Sequence, residues 1–143
     1  MNAQLTAQNL LEEINVKLKL ATLWTSFMFL YIYVDHFALY MPNNLENIMN
    51  GRVFEFDITQ GFILVAIVLF TIPVLMIFLS IALPTKVNRW ANTIVATLLI
   101  PYMLFNLVGE TWAHMIFAAG VEVILLLLVI GFAWKWPRIV THA

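Results

Sequence analysis

The chain has 143 residues, is 63% hydrophobic and only 10% charged, and carries a net charge of −1 at pH 7. A soluble domain carries roughly 25% charged residues, and a near-neutral chain has no basic surface for nucleic acid. Cysteine is absent, which removes disulfides, thiolate metal sites and thiol redox chemistry.

Four long apolar stretches, at about 18–40, 61–83, 88–109 and 112–135, account for the composition. Each suffices to cross a hydrocarbon core of ~30 Å, which takes about 20 helical residues. In lipid the backbone must satisfy its own hydrogen bonds, so runs of this length are helices. The expectation is an all-α integral membrane four-helix bundle. A cytoplasmic or interfacial segment, 1–16, precedes one four-span domain, 17–137, and a cytoplasmic tail, 138–143, follows it. Little chain remains for a soluble catalytic domain. The first apolar run continues into Asp35-His36 with no small-x-small site, so no cleavable signal peptide is expected.

In chain order, residues 1–16 place Leu5, Leu10, Leu11 and Ile14 at loosely helical spacing, with Asn9 and Glu12 as a capping box. They read as a frayed extension of span 1 or as an amphipathic segment on the membrane surface. Span 1 opens with Lys17 and Lys19 and ends with Asp35 and His36. Trp24, Met28, Tyr31 and Asp35 share one helical face. At 1.5 Å per residue Asp35 lies about 25 Å above Leu18, near the outer edge of the hydrocarbon. Pro42 stops the span. In the long connection 42–60, NNLENIMNG suits a single helical turn ended by Gly51. RVFEFDITQ alternates Phe54, Phe56 and Ile58 with charges, as an extended or interfacial segment does. Asp57 with Gln60 reads as the cap of span 2.

Span 2 holds Pro73 in its interior and span 3 holds Pro101. Each proline removes one intrahelical hydrogen bond and predicts a kink, freeing the carbonyls of Leu69 and Thr97. Thr71 sits beside the first kink. Tyr102, Asn106 and Glu110 follow Pro101 at i, i+4 and i+8, along one side of span 3. Gly109 ends that span, Glu110-Thr111 forms a tight turn, and Thr111 is the expected cap of span 4. Span 4 carries His114 one turn in and Glu122 ~16 Å below its outer end, near the bilayer midplane. Trp134 and Trp136 with Lys135 and Arg138 form an inner-interface anchor, and Pro137 stops the helix.

Of the seven Lys and Arg residues, Lys17, Lys19, Lys86, Arg89, Lys135 and Arg138 lie on one side, and Arg52 lies on the other beside Glu46, Glu55 and Asp57. The positive-inside rule then puts both termini in the cytoplasm, as in a bacterial inner-membrane protein.

The runs KLKLATLWTSFMFLYIYVD, IPVLMIFLS, NRWANTI, VEV and FAWKWP resemble a family of small bacterial four-span membrane proteins of unknown function. The match extends from Lys17 to Pro137. The most specific pieces are LYIYVD in span 1 and NRWAN at the start of span 3. The resemblance implies the four-span fold and carries no activity or site residues.

Glu122 is the sharpest chemical signal. An ionisable group at mid-membrane costs at least ~2.5–3.5 kcal/mol on insertion scales, and marks a functional site by default. The competing reading is interhelical glue, with a protonated Glu122 donating to the carbonyl of Leu69 or Thr97 between spans 2, 3 and 4. Asp35, His36, Glu110 and His114 form an outer rim. Carboxylates and imidazoles can ligate a divalent metal, but the spacing matches no metal motif, so the rim reads as a solvated edge or the mouth of a binding cavity. Tyr31, Tyr102 and Asn106 could line a path from rim to Glu122.

The favoured reading is a membrane protein that binds a small molecule, lipid or ion in an outward-facing polar cavity reaching Glu122, with proton-coupled transport as its extension. Candidate residues are Glu122, Tyr102, Asn106, Asp35, His114, Glu110, His36, Tyr31, Thr71 and Thr97. The alternative is an accessory membrane subunit without a ligand. An Asp/His or Glu/His enzyme is disfavoured, because no nucleophile and base share a recognised spacing. No cofactor is implied. Membrane lipids are the expected surroundings, and further copies of the chain the expected partners.

Overall fold

The computed structural model describes residues 2–53 and 56–136. It is built from five helices, α1 (Asn2–Ala38), α2 (Asn44–Met49), α3 (Gln60–Ala82), α4 (Thr85–Phe105) and α5 (Ala113–Trp134), with a two-residue hairpin of β1 (Arg52–Val53) and β2 (Phe56–Asp57). The long connection therefore holds a short helix and an extended segment, as its sequence suggests. Phe54, Glu55, Pro137, Arg138 and the tail lie outside the described residues.

Several expected boundaries move. Residues 2–16 extend span 1 in one continuous helix of 37 residues, α1, and form no separate helix. Asn9 and Glu12 fall inside it and cap nothing. The extension is tied down by Glu13, which pairs with Lys17 at 3.1 Å and accepts a 2.6 Å hydrogen bond from Thr85 Oγ1 at the start of α4. The hydrogen bond from Thr85, then that from Lys17, holds the Glu13 carboxyl below its ordinary value of 4.5. Thr59, not Asp57, caps α3, with Oγ1 accepting from the Phe62 amide at 3.1 Å. Helix α4 stops at Phe105, short of Gly109. Turns follow, and Gly109 takes the left-handed conformation (φ 82°) that glycine adopts at least cost. Glu110 therefore leaves the helical side it was expected to share with Tyr102 and Asn106. Both interior prolines lie in helices that continue through them.

The long helices form three extensive contacts, α1 with α3, α1 with α5, and α4 with α5. Helices α3 and α4 touch lightly, although they are consecutive. Each packing face follows a helical repeat. On α1 it is Leu20, Trp24, Phe27 and Met28, and on α5 it is Ala118, Glu122, Leu126, Val129 and Ala133. Two of these helices, α3 and α5, are long and apolar enough to cross a membrane by length and composition. In α3, only Pro73, Met76 and Ser80 are buried.

The core is polar at the end of the bundle that carries Lys19, Arg89 and Lys135, the inner end on the expectation from charge. Asn88 and Asn92 stand one turn apart on α4 and are fully buried with Ser80 and Trp24. Asn92 Oδ1 accepts from Trp24 Nε1 at 2.6 Å and from Ser80 Oγ at 3.1 Å. Its Nδ2 donates to the backbone carbonyl of Asn88 at 2.9 Å and to Asn88 Oδ1 at 2.6 Å. Asn92 thus uses its full amide capacity of two donors and two acceptor positions. Asn88 Nδ2 completes the network by donating to the Ser80 carbonyl at 2.6 Å, one of the last carbonyls of α3, which lack intrahelical partners.

Around this end, Arg89 lies 4.8 Å from the Trp134 ring and Lys19 lies 5.4 Å from the Phe132 ring. Trp134 is exposed. Trp136 is buried in the core instead.

Candidate functional site

In the outer half of the bundle, Glu122 is 4% exposed, and its Oε1 is buried without a hydrogen-bond partner. It lies on the packing stripe of α5, which faces α1 and α4. The competing reading, a bridge between spans 2, 3 and 4, gains no hydrogen bond from Glu122 Oε1, and α3 packs chiefly on α1. Among the described residues no side chain donates to the carbonyl of Leu69 or Thr97. The stripe that buries Glu122 orients it toward α1, where the partner helix offers tyrosine and aspartate.

Tyr31 is half-buried on α1, one helical step beyond the Trp24–Met28 stripe. Its hydroxyl lies near that of Tyr102 on α4 and within electrostatic reach of the Asp35 and Glu122 carboxyls. Glu122 and Asp35 also act on each other. Three helices therefore bring together Tyr31, Asp35, Tyr102 and Glu122. Asp35 is exposed, Tyr31 and Tyr102 are half-buried, and Glu122 is buried. This is a graded polar column running inward from the outer edge. The Tyr31 ring packs on Phe70 of α3, with centroids 4.9 Å apart, and on Phe27 at 6.2 Å. Ala118 and Ala119, both buried, keep side-chain volume small one turn outward of Glu122.

The remaining candidates stand apart. Glu110 Oε1 accepts from the backbone amides of Thr111 (2.8 Å) and Trp112 (2.9 Å). It stands just before α5, where a carboxylate complements the helix dipole, and the expected Thr111 cap does not form, since Trp112 is the N-cap and no side chain caps it. His114 is exposed with its ring against Trp112, 5.8 Å between centroids. His36 is exposed beside Tyr40, its Nε2 3.4 Å from the phenol oxygen. Asn106 is exposed past the end of α4. Thr71 is exposed and donates to the Ile67 carbonyl at 2.7 Å within its own helix. Thr97 is exposed. Among the described residues, no three His, Asp or Glu side chains come together in a geometry that could hold a metal ion.

Sequence reasoning passed over the Trp24–Ser80–Asn88–Asn92 network and treated the tryptophans as anchors or packing. A signal was present in two asparagines at i and i+4 opening an apolar helix. Their partners, 12 and 68 residues from Asn92 in sequence, were not legible.

The fold and the column define an all-α protein with apolar helices and a buried acid in its core. The chain belongs to a family of unknown function, DUF6326, whose model matches residues 10–141. No curated protein and no solved structure matches it.

Proposed function

We propose that this is a four-span bacterial inner-membrane protein, with both termini cytoplasmic, that binds a small molecule, lipid or ion in an outward-facing site ending at Glu122. The observation that carries this is the orphaned Glu122 Oε1 at the buried end of a polar column. Buried polar atoms in folded proteins nearly always have partners, and an exception calls for a missing occupant or a functional cause. A group kept only to join helices would have its hydrogen bonds made.

The membrane reading is supported by what faces outward. Phe29 and Ile32 on α1, Val65 and Phe78 on α3, Leu98 and Phe105 on α4, and Phe117 and Leu127 on α5 are all exposed. Apolar surface this continuous is lipid- or partner-facing rather than solvated. The accessible surface is 10086 Å², against roughly 7,500 Å² for a soluble monomer of this mass. The unit is small, so transport through it would call for several copies.

The cysteine-free sequence makes labelling direct. Met49→Cys, in the outer connection, should react with a membrane-impermeant methanethiosulfonate in intact cells. Gln8→Cys should react only after permeabilisation. Glu122→Cys should also react from outside. An inert Glu122→Cys beside a reactive Met49→Cys would favour the sealed accessory subunit and overturn the site. A reactive Gln8→Cys in intact cells would overturn the orientation.

A further inference from the structure

The site's chemistry narrows what it can accept. Two carboxyls, Asp35 and Glu122, act on the same Tyr31 hydroxyl and on each other. No lysine or arginine occurs between Lys19 and Arg52 or between Arg89 and Lys135, the segments that supply the column from α1, α4 and α5. Arg52 is held 3.8 Å from Asp57 in the hairpin. His36 and His114 are exposed and stand against Tyr40 and Trp112. The column is therefore acidic without a resident counter-charge. Its deepest member is 4% exposed and has an oxygen that nothing in the described structure contacts by hydrogen bond.

The walls are aromatic and small. Tyr31 packs its ring on Phe27 and Phe70, and the small buried residues Ala118 and Ala119 stand one turn from the acid. Ring faces attract cations through their quadrupole, the more strongly when water is excluded. Among the described residues no three His, Asp or Glu side chains come together to hold a metal ion. An anion would meet two like charges. A monovalent cation with an apolar body meets an acid for its charge and rings for its body.

We propose that the occupant of this column is a monovalent organic cation, such as a protonated amine with an apolar substituent, with Glu122 as its counter-ion and Tyr31 and Tyr102 as its aromatic walls. This rests on the outward-facing site proposed above and adds the chemical class of its ligand.

Tetraphenylphosphonium and tetraphenylborate share one shape and carry opposite charges, so they separate charge recognition from apolar partitioning. Purified protein in nanodiscs should bind tetraphenylphosphonium saturably, and neither tetraphenylborate nor excess sodium should displace it. Glu122→Gln should weaken binding by about tenfold or more, a difference of about 1.4 kcal/mol. Asp35→Asn and Tyr31→Phe should weaken it less. Equal binding by wild type and Glu122→Gln, or equal competition by tetraphenylborate, overturns the ligand class. The competition arm uses only the wild-type protein, so misfolding of a variant cannot mask the answer. If tetraphenylphosphonium fails while Glu122→Cys is still labelled from outside, the site stands and its ligand is of another class. If both fail, the outward-facing site falls too.

Discussion

The two polar regions in the core of this protein are built on opposite terms. At the inner end, Asn92 makes four hydrogen bonds that tie α1, α3 and α4 together, and every polar partner is buried with it. In the outer half, Glu122 is almost as deeply buried, yet one of its oxygens has no partner. Both regions cost desolvation. Only the inner one recovers that cost in protein–protein hydrogen bonds. Satisfied networks specify one packing arrangement, whereas an unsatisfied buried acid is retained for something other than stability. On the function proposed above, the inner end serves architecture and the outer column serves binding.

The same substitution at the two sites should therefore have opposite signs. Asn92→Leu strips acceptors from Trp24 and Ser80 and donors from Asn88. Each orphaned buried group costs about 1–3 kcal/mol, so a loss of about 3 kcal/mol or more is expected. Glu122→Leu removes an acid whose oxygen already lacks a partner and supplies apolar volume, so it should leave stability unchanged or raise it. Thermal melting of the detergent-purified protein checks both. A drop for Glu122→Leu as large as that for Asn92→Leu would break the comparison and return Glu122 to a structural role.

A smaller effect is expected where the two regions meet solvent. Glu110→Ala removes the acceptor for the Thr111 and Trp112 amides and should cost about 1 kcal/mol, the usual net worth of a hydrogen bond. Because Glu110 does not belong to the column, tetraphenylphosphonium binding by this variant should match wild type. Binding titrations beside melting curves test this, and a loss of binding would extend the site onto the rim.

The smallest effect belongs to Glu13. Its carboxyl is held below the ordinary 4.5 by Thr85 and Lys17. A depressed acid contributes stability that is fully present above its unfolded value and is lost as pH falls through the lowered folded value. The ion pair is near the surface, so the contribution should stay below ~1 kcal/mol. In an acid titration of the melting temperature, Glu13→Gln should flatten this component and leave the Asn92-dependent stability in place.

The sequence alone was enough to expect long helices, because apolar runs of this length have no other way to satisfy their backbones in lipid. It also exposed Glu122 as the anomalous group, since an acid inside an apolar run stands out without any structure. Gly51 was legible for a similarly local reason, its positive φ following the short helix α2. Partnership was not. Helical periodicity shows which residues share a face, but not which helix that face meets, and this is why Glu122 was expected beside α3 and packs toward α1 and α4. Trp24, Ser80 and Asn92 come from three separate helices, and their hydrogen bonds exist only once those helices have docked. The two buried polar regions differ in whether their atoms find partners across helices, and that is decided by tertiary packing.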